Sequence, residues 1–186
     1  MEQFFPKMIS LQKIGQVWIE TVLYTLIALA LIGMVLGFVM PKINQSKDKL
    51  AIEQTVDLLT LLDDKINHAS ETTGNVRLID FTIKRGTLDF LSSDNSILFT
   101  VSALGQPYSE PGITIKRGPV SILTEKRQKD SAVYLTLNYS SKNYNLLYNG
   151  AETNKRFTAA STPYKITVAN NGTSNGMIVL NVQDTS

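Results

Sequence analysis

The sequence predicts an α+β protein: one long N-terminal helix, a membrane span plus an amphipathic stalk, packed on a C-terminal antiparallel β-sandwich-like domain. Three observations carry this. An uncharged apolar run extends from Thr21 to Pro41. A segment of helical period without Gly or Pro follows it, from Lys42 to about His68. From about Thr72 onward come short runs of β-branched and aromatic residues, separated by turn residues.

The apolar run is long enough to cross a bilayer. About 20 apolar residues in a helix rising about 1.5 Å each span the roughly 30 Å hydrocarbon core. A secretory signal has a shorter apolar region followed by a small-residue cleavage site. Here the run is followed by Pro41-Lys42-Ile43-Asn44-Gln45-Ser46-Lys47, which contains no such site. One detail needs more than a plain anchor. Glu20 places a carboxylate at the mouth of the span, where burial without a partner costs a few kcal/mol. Gly33-Met34-Val35-Leu36-Gly37 is a small-xxx-small pattern that lets helices approach closely. Trp18 and Tyr24 suit either an interfacial belt or packing between helices. Pro41 is expected to kink the helix or open it locally.

In the next segment Ile52, Val56, Leu59, Leu62 and Ile66 recur at helical spacing and form one apolar stripe, with Leu58 and Leu61 widening it. Asp48, Lys49, Glu53, Asp57, Asp63, Asp64 and Lys65 occupy much of the remainder, and Thr73-Gly74-Asn75 supplies a stop. Ten strands are expected beyond it, beginning near Val76, Thr87, Ile97, Ile113, Val120, Val133, Asn145, Phe157, Tyr164 and Met177. Turns are expected at Arg85-Gly86, Glu110-Pro111-Gly112, Arg117-Gly118-Pro119, Asn149-Gly150 and Asn171-Gly172. Tyr134–Tyr139 alternates like a half-buried antiparallel strand.

Composition narrows the function. Net charge is +2 with the basic residues scattered, so no nucleic-acid footprint appears. The chain has no cysteine, which excludes disulfides and thiolate metal sites. His68 is the single histidine and falls on the charged part of the stalk, where it reads as a solvated residue rather than a catalytic base. No phosphate-binding loop, nucleophile elbow, zinc-protease motif or EF-hand loop is present. Asp63-Asp64 and Asp94-Asn95 read as a solvated helix face and a turn before they read as calcium ligands. The chain is therefore expected to be no enzyme, with no cofactor and no metal. Three Asn-x-Ser/Thr sequons remain as glycosylation candidates: Asn171, Asn138 and, least favoured because it lies just beyond the span, Asn44.

Lys13-Ile14-Gly15-Gln16-Val17-Trp18-Ile19-Glu20-Thr21-Val22, followed at once by the apolar run, resembles the processing region of type IV pilin-like proteins, most of all the archaeal ones with a class III signal peptide. Ile14 stands where many such leaders carry a second basic residue. The resemblance covers the leader and helix, about a third of the chain. It implies that a prepilin peptidase cuts between Gly15 and Gln16, that Glu20 becomes the fifth mature residue, and that it pairs with the new amine of a neighbouring subunit. It also implies a cleaved leader 1–15, a helix 16–71 with its span at about 21–41, and an extracellular β domain 72–186. The expected role is a structural subunit of an archaeal pilus-like filament, for adhesion or as a surface appendage. The expected partners are other copies of the chain, the peptidase, an assembly ATPase with its membrane platform, and the membrane before assembly. The alternatives are a monomeric single-span surface protein with a ligand-binding β domain, and an archaellin-like motility subunit.

Overall fold

The computed structural model describes residues 11–185, with side chains from Val17 onward. The first ten residues of the expected leader, and the side chains of Gly15 and Gln16, lie outside what is described. The fold is α+β: a 60-residue helix α1, Leu11–Ser70, followed by ten strands. The chain divides into two compact units at Asn44 and Gln45.

In the first unit every side chain from Val17 to Asn44 is exposed. In the second, α1 lays its apolar stripe on the β domain. Ile52, Leu59, Leu62 and Ile66 are buried almost completely, Val56 nearly so, and Ala69 extends the stripe by one turn. Burial of each large side chain contributes about 1.5–3 kcal/mol. The edges of the stripe differ from expectation. Leu58 packs against the core, but Leu61 remains 43% exposed. Asp63, expected on the solvated face, is only 6% exposed because the loop around Lys142 closes over it.

The strands are β1 Val76–Phe81, β2 Thr87–Leu91, β3 Ser96–Leu104, β4 Thr114–Arg117, β5 Val120–Lys126, β6 Ser131–Asn138, β7 Tyr144–Tyr148, β8 Lys155–Thr158, β9 Tyr164–Ser174 and β10 Met177–Asp184. They form two sheets, ordered β1-β9-β10-β7 and β4-β5-β6-β3-β2-β8. The second is antiparallel throughout. The first departs from the expected antiparallel pattern in one pair, since β10 runs parallel to β7. The last strand of the chain is thus an interior strand, between β9 and β7. Inward side chains of both sheets join the helix stripe in one core, with an aromatic group of Phe81, Phe90, Tyr148, Phe157 and Tyr164 meeting at 5.0–6.4 Å between ring centroids.

One turn lies elsewhere than expected. Asn171-Gly172 is inside β9, where the pairing shifts between Ile178 and Leu180 and Gly172 takes a φ of +91°. It is a bulge. The hairpin turn is the next Asn-Gly, Asn175-Gly176, with φ of +50° and +78°, the both-positive geometry that suits the twist of a tight hairpin. Arg85-Gly86 is a turn as expected. Gly86 has φ +96°, and a Cβ there would stand 2.5 Å from the carbonyl oxygen of Thr100.

Candidate functional site

The apolar helical segment is the first candidate. One 18-residue window of α1 has mean hydropathy 2.6 and none of it is buried within the chain, so α1 contains a candidate membrane span. The core helix of a globular domain would be covered by its own protein. Among the described residues the aromatic side chains Trp18, Tyr24 and Phe38 are wide open, at 73%, 68% and 75%. Thr21 and Thr25 donate their hydroxyls back to the carbonyls of Val17 and Thr21 at 2.8 and 2.7 Å. Such back-bonding leaves neither threonine hydroxyl unpaired in hydrocarbon. It was not drawn from the sequence, although an i, i−4 relation between Thr21 and Val17 is readable there.

The backbone of α1 is helical through Gly15 and Gln16. Glu20 is exposed, and among the described residues no hydrogen bond or ion pair engages it. Gly33 and Gly37 are exposed too, with nothing within 4 Å of where a Cβ would stand. Among the described residues no second helix approaches them. Gly37 has a further relation, to Pro41 one turn later. The helix continues without a break across Pro41, so any opening is confined to the Gly37 carbonyl, which Pro41 has no N–H to serve.

Three of the ties between α1 and the β domain are ion pairs. Arg85 donates to Asp48 on the helix and to the carbonyls of Ser102 and Ala103, which the β3 irregularity leaves outside the ladder. Asp48 also accepts the N–H of Gly105 at 3.0 Å. One turn on, Glu53 accepts from Arg117 and, at 2.8 Å, from the hydroxyl of Tyr108. Those two bonds, Arg117 first, hold the Glu53 carboxyl below its ordinary value, whereas burial and then the bond to Glu53 push the Tyr108 phenol up. Near the end of the helix, Lys142 reaches Asp63 at 3.3 Å and Asn67 at 3.1 Å. Beside them the hydroxyl of Tyr139 is buried without a hydrogen-bond partner, and burial above all holds it far above the ordinary tyrosine range.

No group of three or more His, Asp or Glu side chains converges among the described residues. His68 is 61% exposed and sits 3.1 Å from Glu71, as a solvated stalk residue. Asp94 lies in a short 3-10 turn that Asn95 closes in the left-handed region, so this pair is a turn. All three sequon asparagines are exposed. Asn138 is the last residue of β6, and its Oδ1 accepts the N–H of Ser140 at 2.9 Å. Asn171 stands in the β9 bulge rather than in a turn. Asn44 lies on α1. No protein-family model, no curated protein and no solved structure matches this chain.

Proposed function

We propose that this chain is a structural subunit of an archaeal type IV pilus-like extracellular filament, made as a single-pass membrane precursor, and that it is not an enzyme. One observation carries the reading: α1 is a single helix whose apolar run, Thr21 to Pro41, is exposed throughout, while its later stripe, Ile52 to Ala69, is buried against a β domain. A surface of that size and apolarity needs a cover. Lipid covers it in the precursor, and the helices of other copies cover it in the filament. A prepilin peptidase removes the leader after Gly15, and the amine of Gln16 then becomes the partner of Glu20 on an adjacent subunit. Gly33 and Gly37 let neighbouring helices approach, and an assembly ATPase with its membrane platform drives extraction from the bilayer.

Two measurements test this. N-terminal sequencing of protein from cells is expected to start at Gln16, and Gly15→Val is expected to abolish the cut. A mature chain that retains residues 1–15 overturns the reading. Glu20→Ala and Glu20→Gln are expected to be inserted and cleaved normally but to form few or no filaments by electron microscopy. If both are cleaved and assemble like the wild type, Glu20 has no assembly role. If the wild type is cleaved and never found in filaments, the single-span surface protein with a ligand-binding β domain replaces the filament subunit.

A further inference from the structure

We propose that Lys142 and Asn67 join in an intramolecular amide bond that ties the β6–β7 loop to helix α1, with Asp63 as the proton carrier. The proposal is independent of the filament reading.

Three groups that amide exchange requires stand together. The Nζ of Lys142 lies 3.1 Å from Oδ1 of Asn67 and 3.3 Å from Oδ1 of Asp63. The other carboxylate oxygen of Asp63 accepts the Nδ2–H of Asn67 at 2.8 Å. One carboxylate therefore touches both the nucleophile and the nitrogen that must leave. The amine is hydrogen-bonded to the very amide it would attack, and holding the two groups together in one fold removes much of the entropic part of the barrier. A turn about the last bonds of the lysine swings Nζ from the amide oxygen towards Cγ.

The surroundings favour the exchange. Asp63 is 6% exposed, and the Tyr139 ring, itself buried, lies 5.2 Å below the ammonium and stacks on Tyr144 at 6.0 Å. The Tyr139 ring covers one face of the Lys142 ammonium, whose side chain is 38% exposed on its other sides. The cluster is flanked by Ser70, bonded to the Tyr144 hydroxyl at 2.8 Å, and carries no second cation among the described contacts.

The step balances without an added reagent. Asp63 takes a proton from the Lys142 ammonium, and the free amine attacks Cγ of Asn67. The Nζ–Cγ bond forms and the Cγ–Nδ2 bond breaks. Both protons that Nζ gives up pass through Asp63 to Nδ2, which departs as ammonium. Nothing is oxidised or reduced.

The test is the intact mass of the full chain, purified in detergent. Wild type is expected to be lighter than its own processed sequence by one ammonia, and proteolysis is expected to yield a branched peptide joining Asn67 to Lys142. Lys142→Arg keeps the positive charge, removes the nucleophile, and is expected to show full mass with an unchanged circular dichroism spectrum. Asn67→Asp is expected to close with loss of one water instead. Asp63→Asn is expected to slow bond formation on the order of a hundredfold or more. A wild type of full mass with no branched peptide overturns the proposal. An Asp63→Asn variant that closes as fast as wild type overturns the role given to Asp63.

Discussion

Asn170 is a strand residue that closes the end of helix α1. It is 3% exposed, and its amide donates to the carbonyls of Ala69 and Ser70, both at 3.1 Å. The last carbonyls of a helix have no partner within it, so a strand residue supplies what the helix end lacks. Its Oδ1 accepts from Gly172, and its backbone pairs with Gly74 and Asn75. Asn170→Ala would orphan buried carbonyls and an N–H, a cost of roughly 1–3 kcal/mol. Asn170→Asp should be worse, because it sets a carboxylate against carbonyls at the negative end of the helix dipole. Denaturant unfolding of the full chain in detergent measures both, and an unchanged midpoint in the alanine variant would remove the capping role. Nothing local in the sequence marks this residue. It precedes an Asn-Gly pair that reads as a turn, and its partners lie about 100 positions earlier.

At the scale of the element, the helix was legible along its centre and not along its edges. The five-residue stripe from Ile52 to Ile66 is buried as the 3.6-residue period requires. Its margins are set by which loop closes over them, which no period encodes: Asp63 is covered by the Lys142 loop, and Leu61 faces outward. Likewise all ten strands were readable, but the bulge at Asn171-Gly172 was not, because the same dipeptide serves a bulge and a turn. The helix-to-domain tie at Glu53 leads to a prediction in pH. Its carboxyl is held below its ordinary value of 4.5, by Arg117 first and Tyr108 second. A group with a lowered native value adds stability that is fully present above 4.5 and is lost as pH falls through the lowered value. Glu53→Gln should therefore have a lower Tm than wild type at neutral pH, and the two curves should converge in strong acid. Parallel curves across that range would show that the tie adds nothing.

At the scale of the molecule, the two units were unequally readable. The span and its acid are written in consecutive residues, so function was inferred from about a third of the chain. The β domain offers no comparable cluster, and its exposed sequons are the features of it that point outward. Protein from the native source should carry glycans at Asn171 and Asn138, and Asn→Gln at each should lower the mass by one glycan. Unmodified peptides at both positions would make the sequons chance matches. The interior place of β10 bears on timing. Leu180 and Val182 are fully buried and the Asn181 side chain accepts the N–H of Gly150 at 2.7 Å, yet β10 is synthesised after all nine other strands. Until they arrive, β7 and β9 each face an open gap with unpaired backbone groups, a surface prone to wrong association. Deleting the residues after Gly176 should accordingly abolish cooperative unfolding rather than fray an end, as a thermal scan would show. The sheet is therefore closed by the last of its strands to be made, so folding of this domain cannot run ahead of the synthesis of β10.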